Sequence, residues 1–137
     1  MKALVFLLLS ATSLGLAPTK TGIYIDCTCE DAIGALYATA LRDVVANSPR
    51  YRLARFARER SADYQSFTEN FVIHIVTVDI NRDRPGVSTA ISVAYSMTDI
   101  FLGNSVQTCG RERVQVCAET TLADADGTIT KVYAAHK

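Results

Sequence analysis

The sequence predicts an α/β chain of the α+β type: a mixed, mostly antiparallel sheet of about five strands with two helices packed on one face. Three observations carry that expectation. Ala32 to Val45 repeats its apolar residues at helical spacing, and Arg111 to about Asp126 does so again. Around them lie short β-branched and aromatic runs bounded by turn residues. The resulting order is strand, helix, four strands, helix.

Each element has its own signal. TGIYIDC, residues 21–27, is a β-branched and aromatic run around a glycine, read as the first strand. Thr28 and Asp31 then have the spacing of a capping box, and Ala32, Ile33, Leu36, Tyr37, Ala40, Leu41, Val44 and Val45 form one helical stripe. Asn47, Ser48 and Pro49 end it, since proline forces the preceding residue out of helical geometry. YRLARF, residues 51–56, reads as the second strand and residues 57–70 as a polar loop. FVIHIVTVDI, residues 71–80, is apolar at both alternating positions, so a central strand covered at least partly on both sides is expected.

VSTAISVAYSMTDI, residues 87–100, separates Val87, Ile91, Val93, Tyr95 and Met97 on one face from Ser88, Ser92, Ser96 and Thr98 on the other. FLGNSVQTC, residues 101–109, supplies a further strand. The second helix turns Val114, Cys117, Ala118, Thr121, Leu122 and Ala125 inward, and Gly127 is its expected stop.

The chain has 137 residues, a single-domain length. Lys plus Arg and Asp plus Glu number 14 each, so net charge offers no long-range attraction for nucleic acid or an anionic membrane. The amino terminus, with one Lys, an apolar run from Ala3 to Leu9 and small residues after it, has the build of a secretory signal peptide over residues 1–17. That run is too short to span a bilayer. Residues 18–137 are then one exported globular domain, periplasmic or extracellular, with no transmembrane segment.

No complete catalytic or cofactor motif appears. DINRDRPG, residues 79–86, starts with the alternating oxygens of a calcium loop. Position six is Arg84 instead of glycine, and position twelve is Ala90 instead of glutamate, so it reads as a charged hairpin loop. DADG, residues 124–127, lacks a later glutamate altogether. His74 sits among Val72, Ile73, Ile75 and Val76, without carboxylates in sequence, and reads as a core or edge histidine. No glycine-flanked nucleophile elbow gives it a serine to activate. No catalytic residue, metal or cofactor is assigned. Arg50, Arg52, Arg55, Arg58 and Arg60 form a cluster with Tyr51 and Phe56 interleaved, a candidate surface for a protein partner or a membrane surface.

Export places the cysteines in an oxidising compartment, where pairs are more often disulfides than metal ligands. If the first two strands are parallel and the rest alternate, the first strand lies at the edge opposite the fifth, far from Cys109. Cys109 then pairs with Cys117, leaving Cys27 and Cys29 as free thiols or a second, local pair. A helix starting at Gly110 would hold Cys109 and Cys117 about 12 Å apart, too far to bridge. Either Gly110 turns the chain back or the helix begins nearer Arg113.

The element order resembles that of the small amino-terminal domain of periplasmic TolB proteins. The CGRERVQVCA segment, residues 109–118, is similar to one in an uncharacterised family of small exported bacterial proteins. Neither resemblance implies an activity or supplies site residues. The expected function is that of a non-enzymatic, exported cell-envelope domain acting by protein–protein binding, through the arginine cluster or the half-polar face of VSTAISVAYSMT. The alternative is a small-ligand binder or a thiol-dependent enzyme using Cys109 or Cys27/Cys29.

Overall fold

Strand β1 (Thr21–Thr28) leads into helix α1 (Ala32–Ala46), which returns the chain to a short parallel strand, β2 (Tyr51–Leu53). A two-stranded antiparallel ribbon, β3 (Arg58–Arg60) and β4 (Phe67–Glu69), precedes a meander of β5 (Phe71–Asp79), β6 (Ser88–Met97) and β7 (Ile100–Gly110). Helix α2 (Val114–Ala135) closes the chain. This computed structural model describes residues 19–60 and 67–135. The expected signal peptide and His136 lie outside the described residues.

The five-stranded sheet runs β2-β1-β5-β6-β7, with β1 parallel to both neighbours and the meander antiparallel. It is the mixed α+β architecture expected. The edge opposite β7 is β2, however, because the α1 crossover places β2 outside β1.

Both helices pack on the same face. Ile23, Ile25, Phe71, Ile73, Ile75, Ile91, Val93 and Tyr95 of the sheet meet Tyr37, Leu41 and Val45 of α1 and Ala118, Ala125 and Ile129 of α2 in one core. Each large side chain buried this way stabilises the fold by roughly 1.5–3 kcal/mol. The phenol of Tyr37 shares a 2.7 Å hydrogen bond with Thr121 Oγ1, and Gln107 Nε2 donates to the same oxygen at 2.9 Å. Those bonds join α1, α2 and β7 inside the core. Burial pushes the Tyr37 phenol up to about 12.

Three local expectations change. Thr28 is paired with Val76 in the β1–β5 ladder, so it is held extended and cannot cap α1; Asp31 is the N-cap, accepting from Gly34 N at 2.8 Å. The stretch read as a loop at 57–70 contains β3 and β4, held partly by the Arg58–Glu69 ion pair. Strand β5 has the partial cover on both sides that was expected: Phe71, Ile73, Ile75 and Thr77 are buried on the helix side, and on the other side Val72 is buried while Val76 and Val78 are 50% and 59% exposed. Gly127 lies within α2 instead of ending it. A helical glycine costs about 1 kcal/mol, less than the roughly 2–3 kcal/mol from burying Ile129 one half-turn later.

The hairpin between β6 and β7 turns on Thr98 and Asp99, with φ of 53° and 60°. Two successive positive φ values make a type I′ turn, whose twist suits a tight hairpin. Without the usual Asn-Gly pair, the turn is hidden inside what reads as a continuous strand through Ile100.

Candidate docking edge and open sheet face

The two edges of the sheet differ. Strand β2 has three residues, one of them Arg52, with Arg50 and Arg55 close by in sequence. Short length and positive charge protect such an edge from pairing with another chain. Strand β7 has eleven residues, IFLGNSVQTCG, without a charge or a proline, and no strand among the described residues pairs with its outer side. Its one irregularity is a bulge: Tyr95 opposes Gly103 and Ser96 opposes Phe101, leaving Leu102 over. From Gly103 to Gly110 the register is regular. Phe101 and Val106 are 65% and 71% exposed. This unprotected edge was not singled out from the sequence, although its length and lack of charge were visible there.

A clasp fixes the end of β7. The Cα atoms of Cys109 and Cys117 are 6.2 Å apart and their sulfurs are bonded. Gly110 is in ordinary extended geometry, φ −88° and ψ 157°, so it does not fold the chain back. The approach comes from the helix start: residues 111–113 form a single 3-10 turn, and α2 proper begins at Val114. Cys27 and Cys29 form a second bonded pair, with Cα atoms 5.4 Å apart. With every cysteine bridged, thiol chemistry would require a bridge to be reduced first.

A second anchor sits at the α1 start. Asp31 accepts hydrogen bonds from Gly34 N, from Thr77 Oγ1 of β5 and from Thr89 Oγ1 of β6, the last at 3.2 Å. Gly34 is required here, because a Cβ would collide with Thr77 Oγ1 and with Asp31 Oδ2. Nearby, Asp79 closes the 79–86 hairpin by accepting from Asn81 N at 2.8 Å and Gly86 N at 2.6 Å. Its carboxylate is thus committed to the loop backbone.

The face of the sheet away from the helices brings His74 between two partners on the strands that flank β5. Its Nδ1 lies 3.1 Å from Asp26 Oδ2 on β1, and its Nε2 lies 2.9 Å from Ser96 Oγ on β6. With a carboxylate at Asp26, Nδ1–H donates to it and Nε2 accepts from the serine. That is the connectivity of a serine hydrolase. Here it lies in the open, with the His74 and Asp26 side chains 46% and 57% exposed. The sequence hid this grouping because its members come from three strands and approach only through register: Asp26 faces His74 directly, and Ser96 is diagonal to it.

The arginine cluster does not form a single free basic patch. Arg50 pairs with Asp126 at 2.6 Å, Arg52 with Glu59 at 2.9 Å and Arg58 with Glu69. Glu59 also accepts from the Arg55 backbone amide at 2.8 Å. Burial pushes the Glu59 carboxyl upward, but the bonds from the Arg55 amide and Arg52 outweigh it and leave it below its ordinary value. Arg60 lies with Arg58 on β3. Among the described residues no group of three His, Cys, Asp or Glu side chains could hold a metal ion, and no helix is long and apolar enough to cross a membrane.

No protein-family model matches the chain, and no curated protein is similar to it. A hypothetical protein from Chlamydia trachomatis matches over 66% of this chain and 72% of its own, with 14% identity and a TM-score of 0.36, too low to carry an argument. TolB from Acinetobacter baumannii is similar over 82% of this chain with a TM-score of 0.57 and 7% identity. The match covers 29% of TolB, so the chain spans less than a third of that protein. At such identity the likeness is one of fold alone, in keeping with the topological resemblance read from the element order.

Proposed function

We propose that this chain is a non-enzymatic, exported cell-envelope domain that binds an extended segment of a protein partner along the outer edge of β7. The observation that carries the reading is the contrast between an eleven-residue uncharged edge and a three-residue arginine-flanked one. An added strand would satisfy the outward N–H and C=O groups of β7, while Val106 on the open face contributes apolar contact. The two disulfides support the export assignment, since such bonds persist in oxidising compartments.

Proline at Ser105 or at Val106 tests this. Amides alternate along an antiparallel strand, so one substitution removes a ladder bond to β6 and the other removes only an outward N–H. The variant that keeps the wild-type circular dichroism and melting curve is expected to lose partners that co-purify with the oxidised wild-type domain. Retention of the same partners by that folded variant would exclude the β7 edge. A concentration-dependent dimer abolished by the same variant would instead identify a second copy as the occupant and overturn the heterologous partner.

The Asp26–His74–Ser96 chain favours a second reading, acyl transfer. In it Ser96 Oγ attacks an ester carbonyl, its proton passes to His74 Nε2 and then to the leaving alcohol, and water releases the acyl group. Water around an open site weakens the dipoles that must stabilise the oxyanion, which is why this reading ranks second. Labelling of Ser96 by a fluorophosphonate, abolished in His74→Ala, would support it; an unlabelled wild type removes it.

A further inference from the structure

The two disulfides have different surroundings. Cys109 and Cys117 are 0% and 6% exposed, and their bridge ties the end of β7 to the start of α2. Cys27 and Cys29 are only partly buried at the rim of the core, and Thr28 and Glu30 beside them are exposed.

The Cys27–Cys29 bridge also has little to hold. Its cysteines stand 2 positions apart, against 8 for the other bridge, and closing so small a loop removes correspondingly less entropy from the unfolded chain. Both ends of the segment are fixed by other means. Cys27 and Thr28 are in register with Ile75 and Val76 in the β1–β5 ladder, and Asp31 is anchored to Gly34 N, Thr77 and Thr89. A bridge that adds little to the fold is, by linkage, one that the fold does little to protect from reduction. Disulfides that are accessible and not reinforced in this way are the labile ones, open to exchange with an incoming thiolate.

We propose that Cys27–Cys29 is a disulfide-donor site whose substrate is a pair of thiols on a protein chain. A substrate thiolate attacks Cys29 Sγ; a bond forms between the two sulfurs, the Cys27–Cys29 bond breaks, and its electron pair leaves on Cys27 Sγ, which takes up the proton that the substrate thiol lost. The second substrate thiol, deprotonated in turn, attacks the substrate sulfur of the mixed disulfide. The substrate bridge closes and Cys29 leaves as a thiolate that takes up the second proton. Two substrate thiols are thereby oxidised to one disulfide and the bridge is reduced to two thiols, in a single stoichiometric transfer. Cys29 is the sulfur attacked because it lies past the end of β1, in the connection to α1, whereas Cys27 is held within the ladder. The site is separate from the outward amides of β7 and does not depend on partner binding there.

The probe is the reduced peptide Cys-Gly-Gly-Cys, acetylated and amidated, incubated without oxygen with the oxidised domain. The oxidised peptide is expected to accumulate, with Cys27 and Cys29 recovered as thiols by alkylation and peptide mapping while Cys109–Cys117 stays bridged. The Cys109→Ala/Cys117→Ala double variant should oxidise the same amount of peptide, and the Cys27→Ser/Cys29→Ser double variant none. Reduced glutathione, which has a single thiol, should be found on Cys29 after an acid quench. The Cys27→Ser/Cys29→Ser variant should melt close to wild type. No oxidised peptide, equal oxidation by Cys27→Ser/Cys29→Ser, glutathione on Cys27, or prior opening of Cys109–Cys117 would each overturn the proposal. Failure of Cys27→Ser/Cys29→Ser to fold would overturn it as well, because the bridge would then be a structural one.

Discussion

Replacing Asp31 with alanine is expected to destabilise the domain by about 2–4 kcal/mol, lowering its melting temperature by roughly 10 °C. The magnitude exceeds that of an ordinary helix cap because the carboxylate serves three elements at once. Loss of the bond from Gly34 N removes the α1 cap, worth about 1 kcal/mol. Thr77 Oγ1 on β5 then loses its acceptor in a buried position, while Thr89 Oγ1 keeps its bond to Val78 O at 2.9 Å. Asp31→Ser, which retains a cap but is too short to serve both strands, should recover only part of the loss. Equal stability of Asp31→Ala and wild type by urea denaturation would show that the three-way junction contributes nothing.

The same residue sets an acid limb. Burial pushes the Asp31 carboxyl upward, but the bonds from Thr77, Gly34 N and Thr89 together outweigh it, leaving its pKa below the ordinary 3.8. A carboxyl lowered in the folded state stays ionised there at pH values where the unfolded chain is already taking up the proton. Its contribution is therefore complete above the ordinary value and is lost as pH falls through the lower folded one. Stability measured downward from pH 5 should fall less steeply in Asp31→Ala than in wild type.

Removing the Cys109–Cys117 clasp is expected to cost about 2–3 kcal/mol, the entropy released when so short a loop opens in the unfolded chain. Alanine at both positions is the suitable replacement, because Cys109 is fully buried and a serine hydroxyl would add its own penalty there. The double variant also separates this bridge from Cys27–Cys29, which a reductant would open as well. Beyond the lower midpoint in denaturant, amide exchange should accelerate across residues 111–118, where the 3-10 turn and the first turn of α2 lose their tie to β7. A variant with wild-type stability and wild-type exchange in this segment would show that the clasp restrains neither state.

Elements with a strong apolar period were legible in the sequence, and their junctions were not. The stripe from Ile33 to Val45 identifies α1, and the alternation of Ile91, Val93 and Tyr95 identifies the buried face of β6. Thr98 and Asp99 adopt the turn geometry without its usual residues, so the hairpin had no local signature. Val76 and Val78 have the composition of buried strand residues but face outward, because both helices collect on the opposite side. Arg58 to Arg60 carries no apolar pattern, and its strand exists through pairing with β4. The candidate sites were still less visible. His74, Asp26 and Ser96 meet through strand register.

The position of β1 between two parallel neighbours also bears on the order in which the chain can assemble. Its residue Asp26 lies beside His74, 48 positions later, so β1 cannot complete its pairing until β5 is available. The β6–β7 hairpin closes through two residues and β5 joins it through one further turn, contacts with a small loop-closure cost. The meander can therefore form early, with the β1–α1–β2 unit docking onto it as the slower, long-range step. An amino-terminal segment that emerges first from a ribosome or a translocation channel thus has to wait for its sheet partner, and until β5 arrives the apolar stripe of α1 has only Ile23 and Ile25 of β1 and Tyr51 of β2 to cover it.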